Sequence, residues 1–237
     1  AFNIQFTDKD NTRKFPFQTS WGVSTRLIGG IIMTHGDNNG LVLPPAVAPV
    51  QIIIVPIAQH KEGVLEACRA LRDRLKGSFR VKLDESENSA GWKFAQYEMK
   101  GVPLRIELGP RDIEAGQCVM VTRHNGEKHI VSLESIESSA AEMLKNVHDG
   151  LYEKALANRE HRTYSCKTPD EINAALAEKG DGFVKTMWCG SPECEAKMKE
   201  LCGITSRCIP FDQTPVGDKC ICCGKPASTV LYWGKAY

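Results

Sequence analysis

Residues 51–57 read Gln-Ile-Ile-Ile-Val-Pro-Ile, a continuous apolar run after Gln51. A strand with one wet face alternates. A strand covered on both faces does not, and this run predicts such a strand in a parallel or mixed sheet. Helices must then lie on either side of it. Residues 60–77 supply one, with Val64, Leu65, Cys68, Leu71 and Leu75 along one side. Arg80–Asp84 is a short strand, Ala90–Lys100 a second helix closed by Gly101, and Val102–Leu108 the next strand. Cys118–Arg123 and His129–Leu133 flank Asn125-Gly126, a strong hairpin signal. Glu134–Ala157 is a long helix with Ile136, Met143, Leu144, Val147 and Leu151 as its apolar line. Together these make a mixed-sheet α/β domain.

Outward toward the N-terminus the pattern changes. Phe2, Ile4 and Phe6 alternate with polar residues, as in a half-buried strand, and Lys14–Thr19 is the expected return strand. Ser24–His35 reads as a helix with Leu27, Ile28, Ile31 and Ile32 as a buried stripe. Gly36–Gly40 breaks it, and Leu41–Pro45 is a short strand stopped by prolines. The proline-rich stretch Pro44–Pro49 marks a boundary. Outward toward the C-terminus, a unit from about residue 158 holds helices at Pro169–Glu178 and Pro192–Leu201 and strands at Gly182–Trp188 and Ser228–Gly234. The expected domains are 1–49, 50–157 and 158–237.

The 237 residues carry a net charge of +1, which excludes a protein that coats polyanions over its whole surface. Any nucleic-acid contact must be a local patch. No apolar run approaches the ~20 residues of a membrane span, and no signal peptide is visible. The first residue is Ala, so a longer parent chain is expected.

Eight of the 10 cysteines fall between Cys166 and Cys223. Without a secretion signal, thiolates holding a metal are the better reading than disulfides. Cys189 and Cys194 form a C-x4-C pair, and Cys220 and Cys223 a C-x2-C pair followed by Gly224. A C-x2-C turn aims backbone N–H groups at the first thiolate, and the glycine lets the chain fold beneath the ion. Four sulfurs suit a tetrahedral structural Zn2+, and no histidine after His161 offers a catalytic ligand set. Cys222 is a competing fourth ligand. Buried small cysteines or a redox C-x-x-C are the plainer alternatives.

The stretch Thr19–Pro49, TSWGVSTRLIGGIIMTHGDNNGLVLPPAVAP, resembles the third signature motif of a class II aminoacyl-tRNA synthetase. Its form is that of the archaeal/eukaryote-like prolyl-tRNA synthetases. The resemblance continues through an anticodon-binding domain and a zinc-binding C-terminal domain to the chain end. It implies part of a class II antiparallel sheet, then the mixed α/β domain, then a small α+β zinc domain. The first two signature motifs would lie before residue 1, so this piece alone should not aminoacylate.

The resemblance also implies roles. Arg26 matches the arginine that neutralises ATP phosphate charge while the proline carboxylate attacks, work suited to a rigid guanidinium. Trp21, Gly22 and Ser24 match positions lining the proline and adenylate pocket, and Tyr237 matches a terminal tyrosine reaching toward it. His35 and Asp37 fit a role in fixing the turn. Glu98 and Arg105 match positions that hydrogen-bond the guanines of the proline anticodon, with Lys93, Lys100 and Arg111 on phosphates. Phe94 and Tyr97 suit core packing more than base stacking. On residue type alone, Arg26 equally fits a surface ion pair, and Glu98 and Lys93 a solvated helix face. The implied partners are tRNA-Pro, proline, ATP with Mg2+ and a second subunit in a cytoplasmic enzyme; neither membrane nor DNA is implied. An accessory RNA-binding module without ligase activity is the alternative. A zinc-stapled domain without RNA would pair Glu98 with Arg105.

Overall fold

The computed structural model describes residues 2–235. Its middle sheet has five strands: β3 (Ile52–Pro56), β4 (Val81–Leu83), β5 (Leu104–Leu108), β6 (Gln117–Thr122) and β7 (Lys128–Ser132), after a first hairpin of β1 (Phe6–Thr7) and β2 (Arg13–Lys14). The order is β4-β3-β5-β6-β7. β3 runs parallel to β4 and β5, and β5, β6 and β7 are antiparallel. Every residue of β3 is buried. Ile52 and Ile54 point to α2 (Val64–Leu75) and α5 (Ile136–His161), while Ile53 and Val55 meet Tyr97 and Phe94 of α3 (Ala90–Met99). Two covered faces are the reason the run lacks alternation. Of the helix expected at 60–77, Val64, Cys68, Leu71 and Leu75 are buried. The Asn125-Gly126 turn forms as expected, with Gly126 at φ +73°. A short helix, α4 (Pro110–Glu114), was not anticipated; Pro110 opens it and the Asp112 carboxylate accepts from the Gly109 N–H at 2.9 Å.

The N-terminal expectations need correction. β1 and β2 are two residues each and wholly exposed. Phe2, Ile4, Phe15 and Phe17 are exposed as well, so the alternating pattern finds no core. The helix forms as α1 (Arg26–His35), but no residue of it is buried and Ile28 is 60% exposed. Among the described residues no sheet lies against this face. Leu41–Pro45 is not a strand. Leu41 and Leu43 instead donate to the Met99 and Gly101 carbonyls at 3.0 and 3.3 Å, and Val42 packs on Val147 and Leu151 of α5. This segment is the seam that joins α1 to the middle sheet.

α5 continues to His161, beyond residue 157, and leads directly into a second sheet. That sheet contains β8 (Thr163–Ser165), β9 (Phe183–Trp188), β10 (Ile204–Cys208) and β11 (Thr229–Lys235), in the order β10-β11-β9-β8. β8 and β10 were missed because each is short and polar in sequence. α6 (Pro169–Lys179) and α7 (Pro192–Cys202) open on prolines after the N-caps Thr168 and Ser191. The core holds Ile172, Val184, Met198, Ile204 and Trp233, whose indole N–H donates to Thr186 Oγ1 at 2.8 Å.

Candidate functional site

The end of α3, strand β5 and the β6–β7 hairpin enclose a cleft of about 150 Å³. Glu98, Arg105, Thr122, Arg123 and Lys128 line it. Glu98 sits in the last turn of α3, and its Oε1 accepts from Asn39 Nδ2 at 3.2 Å. Arg105 lies on β5 with its guanidinium 4.1 Å from the Phe94 ring centre. Its Nε donates to Glu107 Oε1 at 2.9 Å. Glu98 and Arg105 therefore do not pair with each other, as a domain without an RNA partner would have required. A carboxylate that accepts and a guanidinium that donates share one concave wall. Such a pair suits the donor and acceptor edge of a splayed base.

Lys93 is corrected. It is 1% exposed, and its ammonium donates to Gln59 Oε1 at 2.8 Å and to the Asp84 carbonyl at 3.0 Å. A group so placed is not available to a phosphate. α3 turns Lys93 and Tyr97 toward the sheet, since both lie on one helical face. Burial and the Asp84 carboxylate push the Tyr97 phenol up to about 12, so it stays protonated. Phe94 and Tyr97 pack on β3, as their spacing implied. Lys100 is exposed with its ammonium 5.6 Å from the Tyr97 ring centre, and Arg111 is exposed in α4.

Arg26 opens α1. It is exposed and borders a cleft of about 1110 Å³ with Arg159 and Arg162 near the end of α5, Arg207 of β10, and Gly234 and Lys235 of β11. Ser24 Oγ accepts from the Arg26 N–H at 3.4 Å. Trp21 is 92% exposed, and Gly22 has no heavy atom near its missing side chain. Tyr237 lies outside the described residues. Asp37 does fix the turn, accepting from the Asn39 N–H at 2.9 Å. It also holds Arg123, a residue that sequence reading missed. Arg123 and Asp37 lie 86 positions apart, and no local pattern links them.

In the C-terminal unit the sulfurs of Cys189, Cys194, Cys220 and Cys223 lie within 4.8 Å of one another, a cluster able to hold a metal ion. Cys189 follows β9, Gly190 turns the chain at φ +86°, and Cys194 enters the first turn of α7. Cys194 and Cys223 lie 3.7 and 3.8 Å from Cys189, sulfur to sulfur. Zn–S bonds of ~2.3 Å in a tetrahedron separate the sulfurs by about 3.8 Å, so the donor set fits that ion. Burial alone would push the Cys220 thiol up, but the N–H groups of Cys223 and Cys222 at its sulfur bring it down to about 7. The turn closes by the Gly224 N–H donating to the Cys220 carbonyl at 3.0 Å, with Gly224 at φ +71°. Cys222 packs against the apolar core and is not among the four clustered sulfurs.

Two family descriptions match this chain. "Anticodon binding domain" covers residues 51–143, and "Prolyl-tRNA synthetase, C-terminal" covers residues 169–237. The chain is 54% identical over 237 residues to a proline--tRNA ligase of Ruminiclostridium cellulolyticum, spanning all of this chain and 49% of that protein. It is 53% identical over the same spans to the proline--tRNA ligases of Clostridium novyi and Lachnoclostridium phytofermentans. The chain thus spans about half the length of the curated relatives it matches.

Proposed function

We propose, for a chain that belongs to the prolyl-tRNA synthetase family as a C-terminal portion, that it gives a proline--tRNA ligase its anticodon-reading cleft, one phosphate-facing arginine and a zinc-pinned end unit. The parent activates proline with ATP and Mg2+ and transfers it to tRNA-Pro, as a cytoplasmic homodimer. No described helix is long and apolar enough to cross a membrane. The division 1–49, 50–157 and 158–237 follows these roles, with the second boundary moved to the end of α5 at His161. The observation that carries the reading is the shared wall of Glu98 and Arg105, held apart by separate partners. Glu98 accepts from a guanine N1–H and N2–H₂ edge, and Arg105 donates to a guanine O6 and N7. Arg111 and Lys100 stand on phosphates. The likeness to the ligases spans all 237 residues, the stretch around Arg26 included, which favours a ligase part over an accessory module.

Arg26 works by charge: a guanidinium at a helix start offsets polyphosphate charge as proline attacks. Trp21, Gly22 and Ser24 border the adenylate, and the apolar face of α1 meets the rest of the catalytic domain. Zinc, when bound by Cys189, Cys194, Cys220 and Cys223, supplies cross-linking and no chemistry. Ligand binding and folding are coupled in such sites. Cys220→Ser is expected to lose the metal and lower the melting temperature of the end unit. Loss of zinc with unchanged melting would overturn the structural role.

The deciding experiment compares a proline anticodon stem-loop with one whose guanines are replaced, at fixed salt. Preference for the native loop is expected, and Arg105→Ala should reduce it by about 1–3 kcal/mol. Equal, salt-sensitive binding of both loops would reduce the cleft to a basic surface.

A further inference from the structure

Beneath the cleft, the turn after α1 is bonded to the end of α3 by groups that none of these roles uses. Arg123 is buried just past β6. Its Nη1 and Nη2 each donate to one Asp37 carboxylate oxygen, both at 2.7 Å. Its Nε donates to the Glu98 carbonyl at 2.9 Å. One planar fork therefore grips two segments at once, which a lysine's point charge cannot do. Asn39, in the same turn, donates to Glu98 Oε1 at 3.2 Å. The backbones touch as well. A Cβ on Gly40 would lie 2.6 Å from Met99 main-chain atoms, and one on Gly101 2.7 Å from Leu41. Both glycines have positive φ, +131° and +70°.

Glu98 gains most from this arrangement. A glutamate in the last turn of a helix has several rotamers open to it, and each must be given up when a base binds. Here its main chain is held from below by Arg123 and its carboxylate from the side by Asn39. Asp37 holds both supports, because it pairs with Arg123 and carries Asn39 two residues on.

We propose that Arg123, with Asp37 and Asn39, is the positioning device for base recognition in this cleft, presenting the Glu98 carboxylate to a guanine edge in one geometry. The proposal rests on the anticodon reading above. Arg123 acts through Glu98; the gain is preorganisation, and it falls on the matched base alone. A non-cognate loop, held mainly by phosphates, draws little from it.

The test measures native and guanine-replaced stem-loops on the 237-residue chain and on its R123K and N39A variants, with a melting curve for each. R123K is expected to cut the native-over-replaced ratio about ten-fold, and N39A several-fold, while salt-sensitive binding of the replaced loop persists. In an E98A background, N39A should have no further effect on the ratio. An unchanged ratio in both variants overturns the proposal. So does an equal loss for both loops accompanied by a lower melting temperature, which marks a purely structural ion pair. If R123K does not fold, N39A on its exposed turn decides alone. A wild-type chain that fails to distinguish the loops defeats the anticodon reading itself, and this proposal with it. A wild-type chain that distinguishes them beside variants that do so equally defeats only the proposal.

Discussion

The residues before the seam and the residues after it both carry apolar segments, and those segments are opposite in burial. Ile28 on α1 is 60% exposed, whereas Ile54 on β3 is fully buried. Both sit in regular secondary structure, and both belong to a run that sequence reading marks as apolar. The difference is supply of partners. β3 lies between two parallel neighbours and under helices on both faces, so its isoleucines leave water completely. α1 has α5 to one side and water on the rest. Amphipathic pattern states what a segment is able to bury; it does not state that a partner is there.

Three outcomes would break or sharpen this contrast. The largest effect falls on the middle sheet. Ile54→Ala removes a fully buried side chain from the main core, and a loss of about 2–5 kcal/mol in denaturant unfolding is expected. A loss below about 1 kcal/mol would mean that this core is loosely packed in solution.

The second concerns the seam. The Arg123 guanidinium holds the Asp37 carboxyl down to about 2, below the ordinary 3.8. A carboxyl depressed in the folded chain is protonated more readily when unfolded. Its contribution is therefore complete above about pH 4 and declines as pH falls toward 2. An NMR titration of the Asp37 carboxyl carbon should show its midpoint well below 3.8. A midpoint at the ordinary value would mean that the ion pair is open, and the turn after α1 would then be tied to the middle domain by main-chain bonds, the Asn39–Glu98 bond and the Val42 contacts.

The smallest effect is on α1. Ile28→Ala should change stability by no more than about 0.5 kcal/mol, because little area leaves water there. A larger loss that grows with protein concentration would show this face covered by a second copy, and the contrast with β3 would narrow.

Legibility followed the same division. The strand at 51–57, its flanking helices and the Asn125-Gly126 hairpin were readable because their signals are local: period, run length and turn chemistry. The cysteine cluster able to hold a metal ion was readable for the same reason, since the spacing within each pair is a property of neighbouring residues. Lys93 was misread because helix spacing gives its face but not which face the sheet covers. β8 and β10 were missed because they are paired by the strands beside them more than by their own residues.

The sequence by itself determined the mixed-sheet domain, the cysteine set and the resemblance that names the family, since each rests on residues close together in the chain. Only the tertiary structure decided that Glu98 and Arg105 share a wall without pairing, that Lys93 is interior, that Cys223 and not Cys222 completes the cluster, and that Arg123 grips Asp37. These are choices of partner between groups far apart along the chain. A residue's type sets which bonds it is able to make; the packing of sheet against helix sets which group stands within reach.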